Sequence, residues 1–348
     1  MASSVVGVDI GSTSVRAVEV STSKSKPTLV RFLEIPLPEG AVSRGEVIEP
    51  HTVGAVIRRI WSTGGFKSKN VVLGMGNQRV LARDLTVPKA SLAHIREALP
   101  FQVQDMLPVP VADALLDFYP ISESMTESGP VAHGLLIAAI KDAVLGNVRA
   151  VQQAGLNPLD VDLIPFALSR VLITRPKLKG TIVLIDVGAN AASVVIAVDG
   201  VPQFVRIIPA GGNDLTQALS VRLEIDAAEA EDLKRRLGLA AQVATVQERS
   251  AVEIIYEVTG ELLGSLRNTI NYFMNLRPQE PISTILLTGG GAQLVGFPQA
   301  LAEMTKLPVA EADPFATIAV GRAVNKDELH QSGASLTVAL GLALGGMA

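Results

Sequence analysis

The chain has 348 residues, of which 48% are hydrophobic and 18% are charged, and its formal net charge is −4. This composition can bury a large core and excludes a disordered chain, and the negative charge argues against a nucleic-acid binder, which needs a dominant basic surface. Cysteine is absent, which excludes disulfides and thiolate metal sites, and the four histidines are spread far apart in the sequence.

The ends of the chain show no pattern typical of a membrane protein. The N-terminal MASSVVGVDIGSTS has neither the basic start nor the long apolar run of a secretory signal. The apolar stretch 334–347 is shorter than the roughly 20 residues that a membrane-spanning helix needs, and a buried helix explains it better. We therefore expect a cytoplasmic protein without direct membrane insertion.

In the first half of the chain, apolar runs and turn residues predict alternating strands and helices. Strands are predicted at 5–10, 15–20, 29–35, 71–74, 80–87, 113–119, 133–140 and 159–163. Helices are predicted at 51–63 and 142–154, and a third follows Ser91, which suits a helix N-cap, with a kink at Pro100. The polar segment SESMTESGP (122–130) is predicted to be a loop.

The second half repeats the opening pattern of a strand, a polar turn and a strand. Strands are predicted within 181–198 and at 201–208 and 282–287, with Asp199-Gly200 as a hairpin turn between the first two. Helices are predicted at 213–222, 226–237, 249–276, 297–304 and 333–345.

One short motif ends an apolar strand in each half. VDIGSTS (8–14) and IDVGANA (185–191) both place an Asp at the end of a strand and a Gly two residues later. The glycine lets a phosphate oxygen approach the backbone, and the amides of such a turn form an anion-binding concavity. Each motif alone is equally consistent with an ordinary hairpin, but their pairing favours two loops that clamp a polyphosphate.

Candidate ligands follow from these motifs. The predicted phosphate-binding residues are Gly11, Ser12, Thr13, Ser14, Gly188, Ala189 and Asn190, with Gly211 and Gly212 at the start of a helix as a further amide site. Asp9 and Asp186 repel phosphate and each other, so we predict that they hold a hydrated Mg²⁺ between them.

A glycine-rich turn and a charged pair complete the candidate site. Gly289, Gly290, Gly291 and Ala292 follow an apolar strand, and the glycines let the backbone lie against a planar adenosine, although a flexible turn explains them as well. Glu231 and Lys234 lie one turn apart on a predicted helix, where a solvated ion pair is the ordinary interpretation.

In this order, these motifs resemble the actin-like ATPase superfamily, which includes actin, Hsp70 chaperones and sugar kinases. The resemblance implies an α/β, two-lobed actin-like fold (a duplicated ribonuclease H-like fold) with Mg-ATP between the lobes. It implies a first lobe at 1–165 with a small inserted subdomain at about 84–142, a second lobe at 166–332, and a C-terminal helix at 333–348 that returns to the first lobe. The helices connecting the lobes are expected at 164–173 and 333–345.

Within the superfamily, the chain resembles the PilM family of type IV pilus assembly, with the division protein FtsA as a near relative. Segment 83–121 resembles the inserted subdomain of those proteins, and 211–234 resembles their ribose- and adenine-contacting segment. By this resemblance, Glu231 and Lys234 lie near the ribose and Gly289–Ala292 near the adenine. The resemblance also implies that the first lobe binds the cytoplasmic N-terminal tail of a PilN-like inner-membrane protein, which makes the chain peripheral to that membrane. Contacts with pilus motor or platform proteins and self-association are left open.

Two departures from the family pattern bear on catalysis. The second loop has fewer hydroxyls than is usual, and segment 163–172 lacks the acidic residue with which many relatives orient a water. Because general-base help of roughly 10²–10⁴-fold is then missing, we expect ATP binding with slow or absent hydrolysis and assign no catalytic residue.

Two alternative functions remain at this stage. An FtsA-like division protein commonly ends in a basic and aromatic membrane helix, whereas ASLTVALGLALGGMA has neither charge nor aromatic ring. A sugar or small-molecule kinase needs an Asp as base, but Asp84, Asp105 and Asp113 fall in the segment explained as the inserted subdomain.

Overall fold

The computed structural model describes residues 4–21, 26–239 and 245–347. Its strands are β1 (Ser4–Ile10), β2 (Ser14–Ser21), β3 (Thr28–Pro36), β4 (Val42–Ser43), β5 (Glu46–Val47), β6 (Asn70–Met75), β7 (Val80–Pro88), β8 (Ala114–Thr126), β9 (Gly129–Ile140), β10 (Asn157–Leu163), β11 (Thr181–Val187), β12 (Ala192–Val198), β13 (Val201–Ile208), β14 (Ile282–Thr288), β15 (Val309–Glu311) and β16 (Ala319–Val320). Its helices are α1 (Pro50–Gly64), α2 (Leu92–Gln102), α3 (Lys141–Gln153), α4 (Ile164–Ser169), α5 (Gly212–Leu223), α6 (Ala227–Leu237), α7 (Val246–Leu276), α8 (Phe297–Thr305) and α9 (Lys326–Gly345).

Two large sheets repeat one pattern. The first sheet has the order β10-β6-β1-β2-β3-β16, and the second has the order β13-β12-β11-β14-β15. In each sheet, three consecutive strands form an antiparallel meander, and two later strands add in parallel beside the first of them. The two halves of the chain are therefore duplicates of one topology, as the paired motifs predicted.

Two helical segments fill the space between the sheets. Helix α4, which continues as a π-helical turn over Arg170–Thr174, and helix α9 contribute to one apolar core that also contains residues of both sheets. The two helices touch at Gly341, where an added Cβ would lie 2.2 Å from the Ala167 carbonyl oxygen. Only glycine permits this approach, so the sequence determines how closely the connecting helices pack.

Helix α9 begins earlier than predicted. The apolar pattern indicated a start at 333, but the helix starts at Lys326 because the Asn325 side chain accepts hydrogen bonds from the amides of Asp327 and Glu328. Its last four turns are almost wholly buried, which confirms the buried helix predicted for 334–347. Within the described ranges, no helix combines the length and the apolarity needed to cross a membrane.

A third, smaller sheet with the order β7-β9-β8 carries α2. The Ser91 hydroxyl caps α2 by accepting from the His94 amide, as predicted, and the helix ends at Gln102, two residues after Pro100. The loop predicted at 122–130 is wrong, because β8 and β9 form a long hairpin through almost all of it. The polar residues there are exposed on both faces of the hairpin, so they lack the apolar alternation that indicates a strand.

Candidate functional site

A cleft of about 790 Å³ lies between the two large sheets, at the ends of the strands that carry the paired motifs. It is lined by 15 of the 17 residues predicted for a nucleotide site, namely Asp9, Gly11, Ser12, Thr13, Asp186, Gly188, Ala189, Asn190, Gly211, Gly212, Glu231, Lys234, Gly289, Gly290 and Gly291. Ligand sites in proteins commonly occupy volumes of this size, so the cleft is the candidate site.

The first motif forms the tight turn between β1 and β2. The Gly11 amide donates to the Ser14 carbonyl at 3.0 Å, which closes the turn. Asp9 lies at the end of β1 directly opposite Arg16 of β2, and the two side chains form an ion pair at 3.1 Å. Burial raises the pKa of Asp9, and the guanidinium of Arg16 offsets part of that effect.

Arg16 also links the first motif to its surroundings. Its Nε atom donates to Glu34 of β3 at 3.0 Å, and the hydroxyls of Ser14 and Ser335 donate to the same carboxylate at 2.6 and 3.0 Å. Burial alone raises the pKa of Glu34, but Arg16 and the two hydroxyls outweigh it and lower that pKa. Since Ser335 belongs to α9, this network joins the first loop to a helix between the lobes.

The second motif forms the corresponding turn between β11 and β12. The Gly188 amide donates to the Ala191 carbonyl at 2.9 Å, in the same geometry as the first turn. Here the residue opposite Asp186 is Ser193, so this Asp has no cross-strand cation. Burial, and then the negative charge of Asp9, raises the pKa of Asp186 to about 7.

The two turns contact each other across the cleft. The Asn190 side-chain amide donates to the Ser12 hydroxyl at 3.0 Å. The side-chain amide of Asn213 in turn donates to the side-chain oxygen Oδ1 of Asn190 at 2.8 Å. The structure therefore brings together two loops that are separated in the sequence by slightly more than half the chain.

The start of α5 also lines the cleft, but its amides are engaged. The Gly211 amide donates to the Asp214 carboxylate at 2.7 Å, and the Gly212 and Asn213 amides donate to carbonyls of the second loop, Gly188 and Ala189. The backbone amides of Gly211 and Gly212 are thus already hydrogen-bonded in this structure, and the role of these residues as phosphate ligands stays a prediction.

Glu231 and Lys234 are more than a solvated pair on α6. Their side chains lie 2.5 Å apart, and the Lys234 side chain is only 12% exposed. The lysine also donates to the Gly212 carbonyl and to the Thr216 hydroxyl, while Glu231 accepts from Thr216 and Arg235. Burial would raise the pKa of Glu231, yet these donors lower it, so the carboxylate is charged inside the cleft.

The glycine-rich turn follows β14, which runs beside β11. Gly289 has φ = 94°, and an added Cβ there would lie 2.4 Å from the Val187 carbonyl and 2.7 Å from the Asp186 carboxylate. Glycine is therefore required at 289, and it brings the predicted adenosine turn against the second predicted phosphate loop. The next residues form a short 3₁₀ turn, so the backbone does not lie flat.

Two predicted residues do not line the cleft. Ser14 is buried and its hydroxyl is used by Glu34, and Ala292 is 8% exposed within the second-lobe core. Sequence reasoning also missed residues that do line it, above all Arg16 and Glu34, together with Arg44, Asn77 and Asn147. Only the hairpin register, which sets Arg16 opposite Asp9, could have indicated from the sequence that Arg16 belongs to the site.

The donor set fits a hydrated divalent ion only in part. Asp9 and Asp186 supply the carboxylate oxygens that Mg²⁺ prefers, and their mutual repulsion is what a cation would relieve. Arg16 already neutralises one of them, which leaves room for an ion held mainly through water. Across the part of the chain that the structure describes, no cluster of three or more His, Cys, Asp or Glu residues could hold a metal by itself.

Comparisons with known proteins identify relatives over nearly the whole chain. The family model described as type IV pilus assembly protein PilM matches residues 7–347. The solved structure of a PilM-PilN type IV pilus biogenesis complex is similar, with a TM-score of 0.86 and 28% identity over 99% of this chain and 98% of that one. MreB5 of Spiroplasma citri bound to ADP has a TM-score of 0.52 and 11% identity over 89% of this chain and 92% of that one. These similarities confirm the predicted two-lobed actin-like fold.

A more distant relative is the cell division protein FtsA of Bacillus subtilis (strain 168). It is 22% identical over 279 residues, which cover 73% of this chain and 61% of FtsA. The chain thus spans less than two thirds of that relative.

Proposed function

The chain belongs to the PilM family of type IV pilus assembly proteins, and from this premise we propose that it is a nucleotide-gated scaffold. It binds Mg-ATP between its lobes, and the closed form binds the cytoplasmic N-terminal tail of a PilN-like inner-membrane protein. The chain is then a cytoplasmic protein held at the inner membrane through this partner. The lobe boundaries near 165 and 332 and the inserted subdomain at about 84–142 are part of the proposal.

The direct contact between the two turns carries this proposal. Asn190 of one turn is bonded to Ser12 of the other, so a polyphosphate between the turns contacts both lobes at once. A ligand that contacts both lobes favours the closed arrangement over the open one, which is the differential affinity that a conformational switch needs. The nucleotide therefore determines which lobe arrangement the partner meets.

Each end of the nucleotide has a suitable environment. The phosphates lie at the two turns, with Asp9 and Asp186 holding the hydrated Mg²⁺, and the metal neutralises the charge between carboxylates and phosphates. The adenosine lies at the other end of the cleft, with its ribose near Glu231 and Lys234 and its base on Gly289–Gly291. No carboxylate in this arrangement is assigned as a base, so we expect hydrolysis to be slow or absent.

The first test is the affinity of the purified protein for a synthetic tail peptide without nucleotide, with Mg-ADP and with Mg-ATP. We expect Mg-ATP to raise the affinity about tenfold, a typical coupling between two sites. Saturable tail binding that no nucleotide alters would refute the gating. A protein that binds the tail in no state would refute the scaffold.

A cleft-blocking variant gives the matched control. Gly290 lines the cleft, and an added Cβ there meets no atom within 4 Å, so Gly290→Asp introduces a charge without disturbing the backbone. Gly264→Asp on α7 has equal space outside the cleft. Only the first variant should lose the ATP effect. Affinity capture from detergent extract should likewise recover a single-span inner-membrane protein, whereas a tubulin-like division protein would favour an FtsA-like function.

A further inference from the structure

One cation in the cleft has no carboxylate partner. Four basic side chains line the cleft, and three of them form ion pairs, since Arg16 pairs with Asp9 and Glu34 while Lys234 and Arg235 share Glu231. Among the described residues, none forms an ion pair with Arg44. An anion that enters the cleft therefore meets Arg44 as an exposed cation without an ion-pair partner, on the first-lobe side.

The backbone that carries Arg44 is held in an unusual conformation. Arg44 is in the turn between β4 and β5 with φ = 48°, a left-handed conformation that non-glycine residues seldom adopt. The buried Asn77 fixes this turn by donating to the Gly45 carbonyl at 2.7 Å, and an Arg79–Glu46 ion pair at 2.6 Å lies beside it. Positive φ at both Arg44 and Gly45 is the ordinary geometry of a two-residue hairpin turn, so the pairing of β4 with β5 fixes where the Arg44 backbone lies.

The topology sets Arg44 at one end of the cleft. Strands β1 and β6 are parallel neighbours, so the first phosphate loop and the residues after β6, Gly76 and Asn77, open at the same sheet edge. Asn77 holds the Arg44 turn at this edge. Lys234 and Gly289–Gly291 line the cleft from the second lobe. A nucleotide with its adenosine there and its phosphates between the turns directs its last phosphate toward the first-lobe edge.

A second polar group that lines the cleft, the side-chain carbonyl of Asn147, lacks a hydrogen-bond partner among the described residues. Asn147 of α3 lines the cleft and is only 3% exposed, and its side-chain carbonyl oxygen has no hydrogen-bond partner. Its amide nitrogen is directed to the Gly74 carbonyl at 3.5 Å, at the end of β6. A buried carbonyl without a donor is costly, and a water molecule bound in the cleft would supply that donor.

We propose that Arg44 binds the terminal phosphate of a nucleoside triphosphate, so that the cleft distinguishes ATP from ADP. The inference rests on the proposed function and adds the means by which the scaffold senses the nucleotide state. Guanidinium groups suit this task because their planar N–H groups match two phosphate oxygens at once. Asn147 binds a water on the same phosphate.

The test is a titration of the full chain with Mg-AMPPNP and Mg-ADP by calorimetry. We expect Arg44→Ala to lower the AMPPNP affinity about tenfold while the ADP affinity changes less than about twofold, as for loss of one charge-assisted hydrogen bond. Arg44→Lys keeps the positive charge but lacks the planar guanidinium, so its AMPPNP affinity should lie between those of Arg44→Ala and the natural protein. Arg59→Ala, an exposed arginine on α1 outside the cleft, is the matched control and should change neither affinity.

A glycine variant separates charge from backbone strain. Arg44→Gly removes the guanidinium but relieves the left-handed conformation, so it should discriminate as poorly as Arg44→Ala while remaining folded. Discrimination retained in either variant would overturn the role of Arg44. If the natural protein binds ATP and ADP equally, this inference fails alone, whereas failure to bind either nucleotide overturns the proposed function as well.

Discussion

The two Asp-x-Gly hairpins share a backbone but differ in how their charges are held. Both turns are closed by the same amide-to-carbonyl bond, and each Asp faces the residue seven positions later across the hairpin. In the first hairpin that residue is Arg16, and in the second it is Ser193. The duplicated topology thus preserved the turn geometry, while the cation that neutralises the carboxylate is present in one copy only.

This difference assigns distinct tasks to the two halves of the cleft. The first hairpin is an electrostatic network that extends through Glu34 to Ser335 on the helix between the lobes. The second contacts the cleft with backbone groups and the amide of Asn190, and its Asp186 carries a perturbed pKa. Asp186 has no arginine across the hairpin, so the proposed Mg²⁺ would find the carboxylate without a cationic partner on the second lobe.

The largest expected effect comes from removing the cation of the first hairpin. Arg16→Met leaves Asp9, which is 6% exposed, without its partner, and we expect the free energy of unfolding to fall by about 3 kcal/mol. Urea denaturation without nucleotide measures it. Ser193→Ala at the equivalent position of the second hairpin removes no charge and should cost under about 1 kcal/mol. Adding Asp9→Asn to Arg16→Met should recover stability, and equal losses at positions 16 and 193 would contradict the comparison.

The second effect is the pH dependence that Asp186 of the second hairpin contributes. Because the pKa of Asp186 is raised to about 7, the folded protein keeps a proton that the unfolded chain releases near pH 4. The contribution of Asp186 to the free energy of unfolding therefore decreases as pH rises from about 4 to about 7, and it is constant above pH 7. Since Asp186 retains partial exposure to the cleft, we expect on the order of 2 kcal/mol rather than the full shift.

Denaturation across this pH range compares the natural protein with Asp186→Asn. The neutral variant should lose the part of the slope between pH 4 and 7 that Asp186 contributes, because residue 186 then has no proton to release. Asp105→Asn, at an exposed position outside the cleft, controls for the slope of the remaining groups. Parallel curves for all three proteins would show that the second hairpin holds an ordinary carboxylate.

Local signals explain what sequence reasoning predicted. The nearly continuous apolar runs of β1 and β11, and the glycines that follow them, are encoded within a few residues, so both strands and both turns were predictable. The partners of Asp9 depend on strand register, and Glu34 comes from a third strand, so neither belongs to the motif. The sequence around Arg44 does not indicate that this residue lines the cleft, because its location depends on a turn to which the distant Asn77 is bonded.

The sequence predictions were wrong where an element is exposed and polar, because its residues then lack the apolar periodicity that indicates a strand or a helix. The hairpin at 122–130 is polar on both faces, so its pattern is the same as that of a loop. The start of α9 was missed because its first turns are polar and exposed, although Asn325 followed by Asp327 and Glu328 is a capping signal that local reading could have used.

The smallest effect tests whether the two hairpins act together. Asn190→Ala removes the side-chain amide that bonds to Ser12, so the free energy of unfolding should fall by about 1 kcal/mol. A double-mutant cycle with Ser12→Ala isolates this bond, and the two losses should be less than additive by about 0.5 kcal/mol or more. Thr13→Ala is the control partner, since it neighbours Ser12 but has no side-chain hydrogen bond to Asn190, and its loss should add to that of Asn190→Ala. Full additivity in both cycles would mean that the hairpins are merely adjacent. Coupling confined to Ser12 would mean that the two lobes already contact each other through this bond without nucleotide. A bound nucleotide would then strengthen an existing contact rather than create one.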